Sequence, residues 1–196
     1  MAANRIVLLL PLIVMIGLFV FGYMSIQQLD EVTNEQLQDH TEFDVTGNND
    51  GNETTVNVRW QWDRLPEDGV AGDDFMIIQF YDEAENLLES GAIADVSLQL
   101  THSDEVLYET SDIAYEAGGY VVSFQNEQSQ HETLGSQGEW QLVVEHADQS
   151  PDHVQLTYWH TWNHHSVSKG ELLEDSSSIN NIDHWVVERF ESIEQK

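Results

Sequence analysis

The sequence predicts a mainly β chain: an antiparallel β-sandwich of jelly-roll or immunoglobulin-like type, with an N-terminal transmembrane helix and a C-terminal amphipathic helix. Three observations carry that reading. Residues 6–24 (IVLLLPLIVMIGLFVFGYM) contain no charge and no carboxamide. Residues 54–162 hold about seven segments that alternate apolar and polar side chains, separated by turn residues rather than helical patterns. Residues 179–193 change period again, with Ile179, Ile182, Val186, Phe190 and Ile193 on one helical face.

The apolar stretch, if helical throughout, would rise roughly 28 Å, close to the hydrocarbon thickness of a bilayer. Pro11 falls in its first turns, where few intrahelical bonds are lost. The run is longer than the core of a cleaved signal, and no A-x-A pattern follows it, so the expectation is an uncleaved signal-anchor. Arg5 precedes it and Asp30 and Glu31 are the first charges after it. That asymmetry predicts a single-pass protein with residues 1–5 cytoplasmic, the bilayer contacted through residues 6–24, and an extracytoplasmic domain.

Residues 25–53 read as a neck helix with a linker. Ile26, Leu29, Val32 and Leu37 fall at roughly helical intervals, and residues 46–53 (TGNNDGNE) have loop composition. The sandwich is expected over 54–168. Val56, Val58, Trp60 and Trp62 alternate with Asn57, Arg59 and Gln61; residues 75–81 (FMIIQFY) read as a central strand. Residues 82–89 form a helical or turn excursion. Further strands follow near 94–100, 106–109, 120–124, 140–146 and 154–162, and residues 169–196 make the terminal helical segment.

Residues 117–126 (AGGYVVSFQN) resemble the strand of GOLD domains, in which G-x-Y is followed shortly by Phe and Asn. The resemblance implies a β-sandwich architecture. It transfers no functional residue, because the cysteine of those proteins is absent and their membrane span follows the domain rather than preceding it.

Charge narrows the function. The chain has 6 Lys and Arg against 36 Asp and Glu, a net charge of −30. Such a surface repels nucleic acid and anionic lipid headgroups. The absence of cysteine excludes disulfides and thiol catalysis. No nucleophile elbow, H-E-x-x-H pair or phosphate-cradling glycine loop occurs, so no catalytic residue and no cofactor is assigned. Five of the nine histidines, His146, His153, His160, His164 and His165, lie within twenty positions and form the candidate metal set. On a strand, His160 and His164 would stand about 13 Å apart, too far for a shared ion. Trp159 alternates onto the face opposite Tyr158 and His160; it is the candidate partner surface, unless Val186 and Phe190 of the terminal helix cover it. The expected role is an interaction or structural module within a membrane or cell-surface assembly, with a protein partner. A small-ligand, carbohydrate or metal binder is the alternative, and an enzyme ranks behind both. Neither the partner nor the oligomeric state follows from the residues.

Overall fold

The structure, a computed structural model, describes residues 11, 14–22, 32–89, 91–103, 105–116, 118–129, 133–147, 149–165, 167–169 and 181–195. They belong to two compact units, Met1–Glu31 and Val32–Lys196, considered separately.

In the first unit, residue 11 and residues 14–22 are helical. Residues 14–22 rise about 13 Å, less than half of a hydrocarbon core. Among the described residues no helix is long and apolar enough to cross a membrane. This corrects the expected transmembrane signal-anchor. With it go the single-pass topology, the bilayer as a partner through residues 6–24, and the placement of the domain outside a membrane. Hydropathy assumed a helix along the whole stretch, whereas the described helix spans about half of it. The remainder of 6–24 and residues 25–31 of the expected neck lie outside the described residues.

The second unit opens with a 3₁₀ helix, Asn34–His40, started by the Thr33 carbonyl accepting from the Gln36 and Leu37 amides. Its Leu37 is fully buried, so this turn packs on the domain. Eleven strands follow: β1 Thr41–Asp50, β2 Glu53–Trp62, β3 Ala71–Tyr81, β4 Ala92–His102, β5 Glu105–Thr110, β6 Ile113–Glu116, β7 Gly119–Gln128, β8 Thr133–Leu134, β9 Gln137–Glu145, β10 His153–Thr161 and β11 His184–Gln195. They form one sheet in the order β5-β4-β9-β2-β1-β11-β10-β3-β7-β6, with β8 on β7, curled until it is nearly closed like a barrel. The two walls face each other across a common core that includes Trp60 and Trp140 from one side and Phe80, Tyr120 and Tyr158 from the other. The expected sandwich of two antiparallel sheets is therefore corrected to a single curled sheet. Its walls are joined by a parallel pairing of β1 with β11 through Gly47, Asn48 and Asn49.

Two elements depart most from the sequence reading. The loop-like residues 46–50 complete β1, which pairs with β2 along its whole length and turns at Gly51, whose φ is 70°. The asparagine that suggested a loop is bonded inside the fold: Asn49 Nδ2 donates to the Pro151 carbonyl at 2.8 Å and its Oδ1 accepts from Thr54 Oγ1 at 2.6 Å. The expected C-terminal amphipathic helix is instead β11. Val186, Phe190 and Ile193 satisfy a helical spacing, but Trp185 and Val187 also alternate, and both are buried. These β-branched and aromatic residues suit a strand, and β10 offers a nine-residue antiparallel register from Thr161–His184 to His153–Ser192. Tertiary pairing decides between two periods that the residues permit.

Candidate functional site

Alternation along β10 points Tyr158 and His160 inward and Trp159 outward. The same rule along β3 points Asp74 inward with Met76, Ile78 and Phe80, and Asp74 is completely buried. A buried carboxyl group needs donors. Asp74 Oδ1 accepts from Asn126 Nδ2, from His160 Nδ1 at 3.0 Å and from the Thr161 amide at 3.1 Å. Its Oδ2 accepts from the Tyr158 hydroxyl. His160 Nε2 faces Asn34 Oδ1 at 3.3 Å, while Asn34 Nδ2 donates to the Gly69 carbonyl at 2.6 Å. The Tyr158 phenol is pushed well above its ordinary range, chiefly by burial and then by the charge and hydrogen bond of Asp74. The Trp62 indole N–H, which makes no hydrogen bond of ordinary geometry, pulls the other way. Trp62, Trp185 and Trp162 ring the imidazole at 5.2, 4.8 and 5.7 Å between centroids. Asp74, Tyr158 and His160 are each 0 % exposed, so this acid–base constellation has no route to a substrate. Its hydrogen bonds tie the 3₁₀ helix, β3, β7 and β10 to one another.

The five candidate histidines do not converge. His146 is buried with its ring edge-on to Phe80 at 5.4 Å; Nε2 has no partner, and burial holds its pKa below the usual value. His153 stacks on Phe190 at 5.0 Å, and His164 is exposed. His165 accepts the Val167 amide on Nδ1 at 3.2 Å, so Nε2 carries the proton facing Thr161 Oγ1 and the Asp73 carbonyl. Among the described residues no group of three or more histidines and carboxylates is placed to hold a metal. Trp159 joins an outer apolar cluster with Phe75, Ile77 and Val121, against which Val167 and Ile182 pack. His184 stacks on it at 5.4 Å. Val186 is its neighbour across the β10–β11 pair, and Phe190 lies elsewhere, against His153 and Tyr81.

Among the described residues, a groove and a cleft open outside the core. The larger, about 340 Å³, is a groove on the outer surface of β1, β2, β9 and β4. Register places Asp44, Arg59, Glu139 and Gln99 side by side in one cross-strand row, and Glu42, Gln61 and Gln137 in the next. Arg59 Nη2 donates to Glu139 Oε1 at 3.0 Å; both side chains are well exposed, so the pair positions the groups more than it stabilises the fold. That same hydrogen bond and charge hold the guanidinium more firmly protonated. The smaller cleft, about 210 Å³, lies between β5 and β7 and is lined by residues that include Asp73, Tyr108, Thr110, Asp112 and Ser123.

Neither the groove nor the Asp74 cluster was singled out by sequence reasoning. The usable signal for the cluster was one carboxylate in register with the inward residues of an otherwise apolar strand. The groove had none, since glutamines on the outer face of a strand look like ordinary solvation.

No protein-family profile matches the chain, and no curated protein matches it. Among solved structures, one described as "AvmM Catalyzes Macrocyclization in Alchivemycin A Biosynthesis" is similar at 11% identity, with a TM-score of 0.41, covering 81% of this chain and 90% of that one.

Proposed function

We propose that the chain is a non-catalytic interaction domain, and that its outer groove binds an uncharged, polyhydroxylated ligand of the carbohydrate class. The observation that carries this is the cross-strand row of Asp44, Arg59, Glu139 and Gln99. Planar carboxylate, guanidinium and carboxamide groups side by side offer paired donors and acceptors at the spacing of neighbouring hydroxyls. Four strands at about 4.8 Å make the row roughly 14 Å across, the scale of a short oligosaccharide. The net charge of −30 disfavours anionic ligands, and the acids of the groove outnumber its single arginine.

The test is calorimetric titration of the full-length chain with neutral gluco-, xylo- and manno-oligosaccharides. A saturable interaction is expected that weakens about tenfold, or 1.4 kcal/mol, in Gln99→Ala and in Glu139→Ala at unchanged melting temperature. Failure of every saccharide to bind, or binding that both substitutions leave intact, overturns the reading.

A further inference from the structure

We propose that the seam between β5 and β7 is a second, separate site, which accepts an extended peptide carrying a basic side chain as an added strand. The geometry begins with an anomaly of burial. Tyr108 and Thr110 pair across β4 with Leu100 and Leu98, so all four point to the inner face of that wall. Leu98 and Leu100 are 0% exposed, yet Tyr108 is 41% exposed. An inward tyrosine stays wet only where the opposite wall has drawn away.

The pairing shows where. β6 pairs with β7 from Glu116–Gly119 to Ile113–Val122, and the chain before it, at Asp112, leaves β7 to become β5, which pairs with β4. The β4–β5 ladder is also irregular there, with a register shift between Leu100 and Thr101. β8 meets β7 only at Glu127 and Gln128. Among the described residues, therefore, no strand pairs with residues 123–125 of β7 on the side away from β3, whereas at Asn126 the turn at Gly135 already packs on the backbone. The cleft of about 210 Å³ lies on those residues. Edge groups of this kind are a template for a further strand, and three residues span roughly 10 Å, enough for a short extended segment.

Charge selects the occupant. Asp73 and Asp112 line the cleft, and among the described residues no basic one does. Asp112 already holds an ammonium at its outer side, Lys169 Nζ at 2.7 Å from Oδ2. A guest lysine has the same complement available in Asp73, whereas an acidic guest meets that carboxylate with like charge.

The probe is the peptide acetyl-TVKVT-amide, titrated into the full-length chain and followed by amide NMR. Shifts and hydrogen-exchange protection are expected at residues 123–125 and along β5, with about tenfold weaker binding in Asp73→Asn and for acetyl-TVEVT-amide. N-methylation of alternate amides in the peptide should abolish binding, because it removes the strand pairing and leaves the charge. Four outcomes overturn the proposal: no saturable binding, equal affinity for the N-methylated peptide, equal affinity for the acidic peptide, or self-association of the chain through these same amides. Asp112→Asn, at an 83% exposed side chain, is a second variant that does not threaten the fold.

Discussion

Replacing Asp74 by alanine should cost the domain about 4 kcal/mol, and the figure follows from what the carboxylate holds. Four donors converge on it: the Tyr158 hydroxyl, His160 Nδ1, Asn126 Nδ2 and the Thr161 amide. Asn126 Nδ2 keeps a second acceptor, the Thr161 carbonyl at 2.6 Å. The other three donors lose theirs in a region without solvent. An orphaned buried donor costs about 1–3 kcal/mol, so three of them near the low end of that range come to about 4 kcal/mol. For a unit of this size that lowers the melting temperature by about 12 °C. Tyr158→Phe removes one donor and leaves the acceptor well supplied, which should cost only about 1 kcal/mol. Urea unfolding of the full-length chain, followed by tryptophan fluorescence, measures both. Because the two groups touch, the double variant should fall short of additivity by at least about 1 kcal/mol. An Asp74→Ala loss below about 1 kcal/mol, or strict additivity with Tyr158→Phe, refutes the view that this network holds the walls together.

Three further outcomes are expected. His146 sits buried against Phe80 and burial lowers its pKa, so the unfolded chain takes up its proton first on acidification. Stability should therefore fall as pH drops below the unfolded value near 6.5, and His146→Leu should flatten that part of the pH–stability profile; an unchanged slope counts against it. At Gly138, an added Cβ would run into the Trp60 ring and come within 2.6 Å of the Gln99 carbonyl, so Gly138→Ala should destabilise by about 2–3 kcal/mol in the same urea assay. A change below about 0.5 kcal/mol would mean the ring has room to move. Ile193 is 6% exposed in the common core, and Ile193→Ala should cost about 2–4 kcal/mol, with hydrogen exchange rising first in β1 and β11. Uniform exchange across the sheet would contradict a role at that join.

Strands with one buried face were legible because a period of two is a local property. Val56, Val58, Trp60 and Trp62 of β2, and Val154, Leu156 and Tyr158 of β10, are all buried as their alternation implies. Pairing partners are not local. β11 was read as a helix because only β10, met across a long connection, makes the strand the better solution for Trp185 and Val187. β1 was hidden by Asn48, Asn49 and Asp50, whose turn propensity is overridden by hydrogen bonds to distant residues such as Pro151. The membrane reading came from the length of the apolar run and the charges flanking it, whereas among the described residues no helix is long and apolar enough to cross a membrane. His160 stood in the sequence as one of five possible ligands. Its actual partner, Asp74, lies on a strand eighty-six positions earlier, and no spacing rule reaches that far. The groove is a still plainer case: Arg59, Glu139 and Gln99 become neighbours only through the register of three strands.

A sheet that nearly closes has two joins, and here they differ in kind. At the first, β1 and β11 run parallel for three residue pairs, a weak ladder by itself. Buried bonds reinforce it: the Ile193 amide reaches the Asp152 carbonyl at 2.8 Å, and Trp185 Nε1 reaches the Asn34 carbonyl at 2.9 Å. Gly47 lets the Ile193 side chain lie directly over the backbone, where a Cβ would come within 2.8 Å. The second join is held by side-chain bonds rather than a ladder: Trp60 Nε1 donates to the Gly135 carbonyl at 2.9 Å and the Tyr120 hydroxyl to the Gly91 carbonyl at 2.8 Å. It consists of the β5–β6 corner and the two residues of β8, with Val106, Tyr108 and Tyr115 each at least 40% exposed around it. Local opening is drawn from regions with few buried apolar contacts, so the β5–β7 side should open at lower free energy than the β1–β11 side. An incoming strand at that side, as proposed, would displace little packing and pair with the stretch of β7 that lies between β6 and β8. Binding there is then limited by the ordering of the guest more than by disruption of the host, which places the more deformable join and the proposed peptide site at the same edge.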